Sequence, residues 1–121
     1  MNPGGGQTNC GLVACQVDIA LGGGTPQAAD PHGLPMTASQ VQAMAGGGPW
    51  VDTSGLSNVV RRVRDWGHGS RGIVMGLPVA GIGHFFNVVN DRGAVVFIDG
   101  QQGQAGPDSI QWRYYKLMKT R

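Results

Sequence analysis

The chain reads as an α+β domain, with helices in its first half and an antiparallel sheet in its second. Two observations predict this. As far as Trp66 the apolar residues recur at helical spacing, and from Arg71 onward they run in strand-length stretches divided by turn residues. Helices gathered before strands, with no internal repeat, argue against an alternating β/α fold. At 121 residues the chain has room for one domain with a real core, and not for two.

Residues 10–21 predict the first helix. Cys10, Val13, Ala14, Val17, Ala20 and Leu21 form one stripe, Leu12, Cys15 and Ile19 another, and only Gln16 and Asp18 are plainly polar. A helix apolar nearly all round is a buried one. Gly22–Gly24 end it, and Pro26, Pro31 and Pro35 make the next stretch a long loop. A short helix follows over 37–45, capped by Thr37 or Ser39, and then an irregular stretch over 46–52. The clearest periodicity lies in 54–66, where Leu56, Val59, Val60 and Val63 share a stripe that Trp66 nearly joins. Arg61, Arg62 and Arg64 fall off that stripe and read as a solvated face rather than a docking patch. Strands are predicted over 72–79, 82–89, 94–99 and 110–117, with Asn90-Asp91-Arg92-Gly93 as the hairpin turn between the middle two.

Composition narrows the function classes. Charged residues make up 13% of the chain, against about a quarter in an ordinary domain. The formal charge of +2, with no aromatic-basic stripe, speaks against nucleic acid. No apolar run is long enough to span a membrane, and no secretion signal is legible. Met1-Asn2-Pro3-Gly4 reads as a linker remnant behind an added start methionine. Residues 1–9 are therefore expected to be the approach to a catalytic domain over 10–121, cut from something larger. Cys10 and Cys15 are five residues apart. On one helix they would rise about 7.5 Å and point apart, whereas a disulfide needs Cα atoms within roughly 7 Å. Two free thiols are expected, which suits a reducing site of action.

Three side chains carry candidate chemistry. Cys10 opens the first helix, where unpaired N–H groups and the helix dipole favour a thiolate. His84 lies on a predicted strand and Asp99 at the end of the next. If Val89 pairs with Ala94, His84 falls directly opposite Asp99, and the carboxylate can fix the imidazole tautomer. A bulged three-residue loop at Gly93 would instead shift the pairing by one. Each residue also has a plain reading: a core cysteine, a structural histidine among Phe and Val, a turn aspartate. Their combination is what suggests a thiol nucleophile, a base and an orienting acid. The Cys10 N–H would help hold an oxyanion, with Gln7, Asn9 or Gln101 as a second donor. Cys15, in mid-helix, reads as a small core residue, and His32 and His68 as surface residues. No Cys/His spacing resembles a zinc site, so neither metal nor cofactor is expected.

Pro3-Gly4 … Asn9-Cys10 … Cys15, Gly83-His84 … Asn87-Val88-Val89-Asn90 and Ile98-Asp99-Gly100-Gln101 together resemble the papain-fold toxin domains of glutamine deamidase type. These are C-terminal modules of bacterial polymorphic toxins. The resemblance implies a papain-like α+β fold, its buried N-terminal helix bearing the nucleophile and packing on the C-terminal antiparallel sheet. It implies a Cys-His-Asp triad at Cys10, His84 and Asp99, and conversion of protein glutamine to glutamate through a thioester. It implies a protein substrate in the target-cell cytoplasm, secretion within a larger toxin, and a cognate immunity protein. A monomer without nucleic-acid or membrane partners is expected. Papain-type proteases usually carry asparagine where Asp99 stands, and are about twice as long. The same triad serves a protease or a transglutaminase, and an inert Cys10 would leave a non-catalytic binding module.

Overall fold

A computed structural model describes residues 10–25, 36–77, 84–99, 104–105 and 114–121. In chain order the elements are α1 (Cys10–Leu21), α2 (Ala38–Ala45), β1 (Val51–Thr53), α3 (Leu56–Trp66), β2 (Arg71–Leu77), β3 (His84–Asp91), β4 (Ala94–Asp99), β5 (Gln104–Ala105) and β6 (Tyr114–Lys119). The strands form one sheet in the order β1-β6-β2-β3-β4-β5, with every pair antiparallel. The chain is α+β, as its periodicities predict.

Helices cover both faces of the sheet, because strand alternation sends apolar side chains both ways. On one face, Cys10, Ala14 and Cys15 of α1 and Val41 of α2 pack with Ile73, Phe85 and Met118. Val13 and Val17 extend that layer toward Ile98. On the other, Val59 and Val63 of α3 meet Val74, Phe86, Val88, Tyr115 and Leu117. Arg61, Arg62 and Arg64 are exposed on the outer side of α3, as its stripe requires.

The local signals for the helices hold. Thr37 caps α2 through a reciprocal pair: its hydroxyl accepts from the Gln40 N–H at 3.2 Å, and its own N–H donates to Gln40 Oε1 at 2.8 Å. Gly46 closes α2 in the left-handed region, at φ 64°. Asp18 is a polar residue buried with partners. It is 5% exposed, because Arg71 Nε donates to Oδ1 at 3.0 Å and the Thr120 hydroxyl donates to the same oxygen. That cluster ties the last turn of α1 to the start of β2 and the end of the chain.

Two strands fall outside the predicted set. β1 lies partly in the stretch read as irregular and is held by pairing Val51, Asp52 and Thr53 with Leu117, Lys116 and Tyr115. β5 is two residues long. Such short strands carry no legible alternation and exist through their partners. The predicted strand over 110–117 is β6 at Tyr114–Lys119, and residues 110–113 lie outside the described residues.

The register of the central hairpin corrects the expectation. Asp91 pairs with Ala94 and Asn87 with Ile98. Val89 therefore faces Val96, not Ala94, and His84 is not directly opposite Asp99. The loop is two residues, Arg92 and Gly93, both at positive φ (55° and 89°), the pattern of a type I′ turn. Asn90 and His68 make this turn favourable: Asn90 Oδ1 accepts the Gly93 N–H at 2.7 Å, and His68 Nδ1 accepts the Arg92 N–H at 2.9 Å. The offset from the expected pairing is two residues. Continued along both strands, that register leaves the Asp99 position two residues away from the one opposite His84.

Candidate active site

Cys10 is the first residue of α1 and is 9% exposed. The opening N–H groups of a helix have no intrahelical acceptor, and the first turn of α1 carries no acidic residue to oppose a thiolate. Gly11 beside it allows a close approach: a Cβ there would meet Met36 Cβ at 3.0 Å and Val41 Cγ2 at 3.1 Å. Met36, Trp50 and Met75 pack around the apolar cluster that holds Cys10. Trp50 is fixed by donating its indole N–H to Ala38 O at 2.8 Å, with its ring 6.1 Å from that of Phe85.

Cys15 behaves as a core residue. It is 1% exposed, and burial together with the neighbouring Asp18 carboxylate pushes its thiol up to about 11. Both cysteines are free, as their helical spacing predicts. One thiol sits at a helix start and the other is kept protonated in the interior.

His84 is the first residue of β3 and is 7% exposed. Its ring stacks on Phe86, centroids 6.1 Å apart and planes at 26°, and Phe86 meets Phe97 edge-on at 5.9 Å. The cross-strand partner of His84 is Gly76, which contributes no side chain. His84 therefore belongs to the face that α3 covers, whereas Phe85 and Asn87 belong to the α1 face.

Three contacts set the direction of α1 along β3. Cys10 shares a cluster with Phe85, Ala14 accepts from Asn87, and Asp18 holds Arg71, whose strand partner is Val89. The helix runs parallel to β3, and Cys10 is level with the end where His84 begins the strand. Thiol and imidazole thus border one end of β3 from its two faces. The structure does not bring them together on one face: Cys10 lies with Phe85 on the α1 side and His84 with Phe86 on the α3 side.

Asp99 ends β4, its backbone paired with Gln104. Gln7, Asn9 and Gln101, the candidate oxyanion donors, lie outside the described residues, as does His32. His68 is exposed, as its loop composition predicts. Among the described residues no group of three His, Cys, Asp or Glu side chains is placed to hold a metal ion. No described helix is long and apolar enough to cross a membrane.

One residue near the site went unassigned in the sequence. Asn87 is 0% exposed, and its Nδ2 donates to Ala14 O at 2.9 Å. Its Oδ1 has no hydrogen-bond partner among the described residues. An orphaned buried acceptor costs about 1–3 kcal/mol. The only signal in the sequence was an amide interrupting the apolar run Phe85-Phe86-Asn87-Val88-Val89.

No curated protein matches the chain. A family described as papain fold toxin 1, glutamine deamidase, matches residues 8–104, a span that includes Cys10, His84 and Asp99. With most of its length covered by that match and an N-terminal helix packed on an antiparallel sheet, the chain belongs to the glutamine deamidase family of papain-fold toxins, which are cysteine-dependent enzymes.

Proposed function

We propose that the chain deamidates glutamine side chains of a protein in the target cell, with Cys10 as nucleophile, His84 as acid and base, and Asp99 as the group that orients His84. The observation that carries this reading is the position of Cys10: a thiol at the start of α1, level with the first residue of β3. Because the two side chains start from opposite faces of the sheet, the reading requires them to meet beyond the first residue of β3.

The Cys10 thiolate attacks the carboxamide carbon, forming a C–S bond and placing a negative charge on the oxygen. The Cys10 N–H and a second donor, Gln7, Asn9 or Gln101, hold that oxyanion. As it collapses, the C–N bond breaks and the His84 imidazolium protonates the departing ammonia. His84 then takes a proton from water, which attacks the thioester and releases the thiolate. The released carboxylic acid gives up its proton to ammonia, so the sum is glutamine plus water giving glutamate plus ammonium. A neutral amide becomes a carboxylate, enough to disable an interface or switch in the target.

The domain acts in the target-cell cytoplasm, where reducing conditions preserve both thiols, and arrives as the C-terminal module of a secreted toxin used against competing bacteria. It works as a monomer, and a cognate immunity protein protects the producer.

The test compares native chain, Cys10→Ala and His84→Ala expressed in susceptible cells, with growth and whole-proteome peptide mass spectra as readouts. Glutamine-to-glutamate conversions and growth arrest are expected from the native chain alone, each variant losing at least about 10³-fold in activity. New chain termini would replace deamidation by proteolysis, and glutamine–amine cross-links by transglutamination. Toxicity undiminished in both variants would remove the triad.

A further inference from the structure

The geometry points to Asn87 as the residue that sets the position of the nucleophile along β3. This positioning role rests on Cys10 and His84 being the working pair. Asn87 is fully buried in β3, and its amide reaches one helical turn past Cys10, to the carbonyl of Ala14. Its strand partner is Ile73, with Ile98 on the other side. An aliphatic side chain would suit those neighbours and leave no orphaned oxygen, so packing does not explain the amide. Registry does.

Apolar contacts between α1 and the sheet are non-directional, and Val13, Ala14, Cys15 and Val17 would tolerate a helix slid along β3. Two directional ties resist that slide, the Asp18–Arg71 pair in the last turn of α1 and the Asn87–Ala14 bond, and only the second lies one turn from Cys10. The bond leaves the helix intact, because a carbonyl oxygen has a second lone pair beyond the one used by the intrahelical N–H. Asn87 is three residues from His84 on one strand, about 10 Å along it. The same side chain therefore ties the helix bearing the thiol to the strand bearing the imidazole. A slide of one residue would move Cys10 by about 1.5 Å, and misplacement of about 1 Å can lower a reaction rate by 10²-fold.

The experiment follows the pH dependence of iodoacetamide alkylation at Cys10 in the native chain, Asn87→Leu, Asn87→Ala and His84→Ala, with thermal unfolding as a control. A thiolate paired with an imidazolium alkylates well below the usual thiol range. At pH 6 His84→Ala should lose roughly tenfold or more of the native rate. Asn87→Leu should fold with an unchanged or higher unfolding midpoint, yet shift its profile toward that of His84→Ala. Asn87→Ala should do the same with a lower midpoint. If either folded Asn87 variant keeps the native profile while His84→Ala loses it, the positioning role is wrong. If His84→Ala itself keeps the native profile, the Cys10–His84 pair is wrong, and this role goes with it.

Discussion

The two thiols of α1 should differ sharply in reactivity, and the size of the difference follows from the structure. With the Cys15 thiol pushed up to about 11, roughly one molecule in 10³ carries a Cys15 thiolate at pH 8. A thiol at the ordinary value of about 8.5 is roughly a quarter ionised at that pH. Ionisation alone thus separates Cys15 from an ordinary cysteine by about two orders of magnitude. Burial to 1% exposure slows the reagent further, since alkylation then requires α1 to open. Under native conditions iodoacetamide at pH 8 should add one label, at Cys10, with Cys15 following at least about 10²-fold more slowly. In denaturant both should label at similar rates. Intact mass and peptide mapping of acid-quenched time points give the two rates directly. Labelling of Cys15 within tenfold of Cys10 in the folded chain would refute the assignment of one working and one structural thiol.

Two further perturbations test the energetics of the frame. Asp18→Ala leaves the Arg71 guanidinium, only 15% exposed, without its carboxylate, and should lower stability by about 2–3 kcal/mol in urea. Asp52→Ala breaks the Lys116 pair, whose aspartate is 85% exposed, and should change stability by less than about 0.5 kcal/mol. Equal losses from the two would contradict the burial difference. Arg92→Asn places a residue that tolerates positive φ at the hairpin tip, now at 55°, and should stabilise by about 0.5–1 kcal/mol, read as a shift in the urea midpoint at constant slope.

Much of the framework was legible because its signals are local. The run from Cys10 to Leu21 is bounded by a glycine triplet, Thr37 or Ser39 offers a cap for α2, and the spacing of Val59 and Val63 marks the buried side of α3. Each needs only neighbours within a turn or two. The hairpin register was not legible, because Asn90-Asp91-Arg92-Gly93 admits loops of several lengths. His68 and Asn90 decide among them by accepting the N–H groups of Arg92 and Gly93. Asp18 read only as polar, and its burial was not legible because Arg71 and Thr120 arrive from far along the chain. β1 was missed because three residues cannot display alternation before β6 pairs with them.

The same division runs through the site. Residue types and their order along the chain determined the class of chemistry, a thiol at a helix start with an imidazole and a carboxylate on consecutive strands, and placed the chain in its family. Only the tertiary structure decided which faces of the sheet Cys10 and His84 occupy, that the hairpin register differs from the expected one by two residues, and that Asn87 ties α1 to β3. The reason is the range of the interactions. Helix and strand periodicities come from backbone geometry within a few residues, whereas register and facing depend on hydrogen bonds between segments 24 to 73 residues apart.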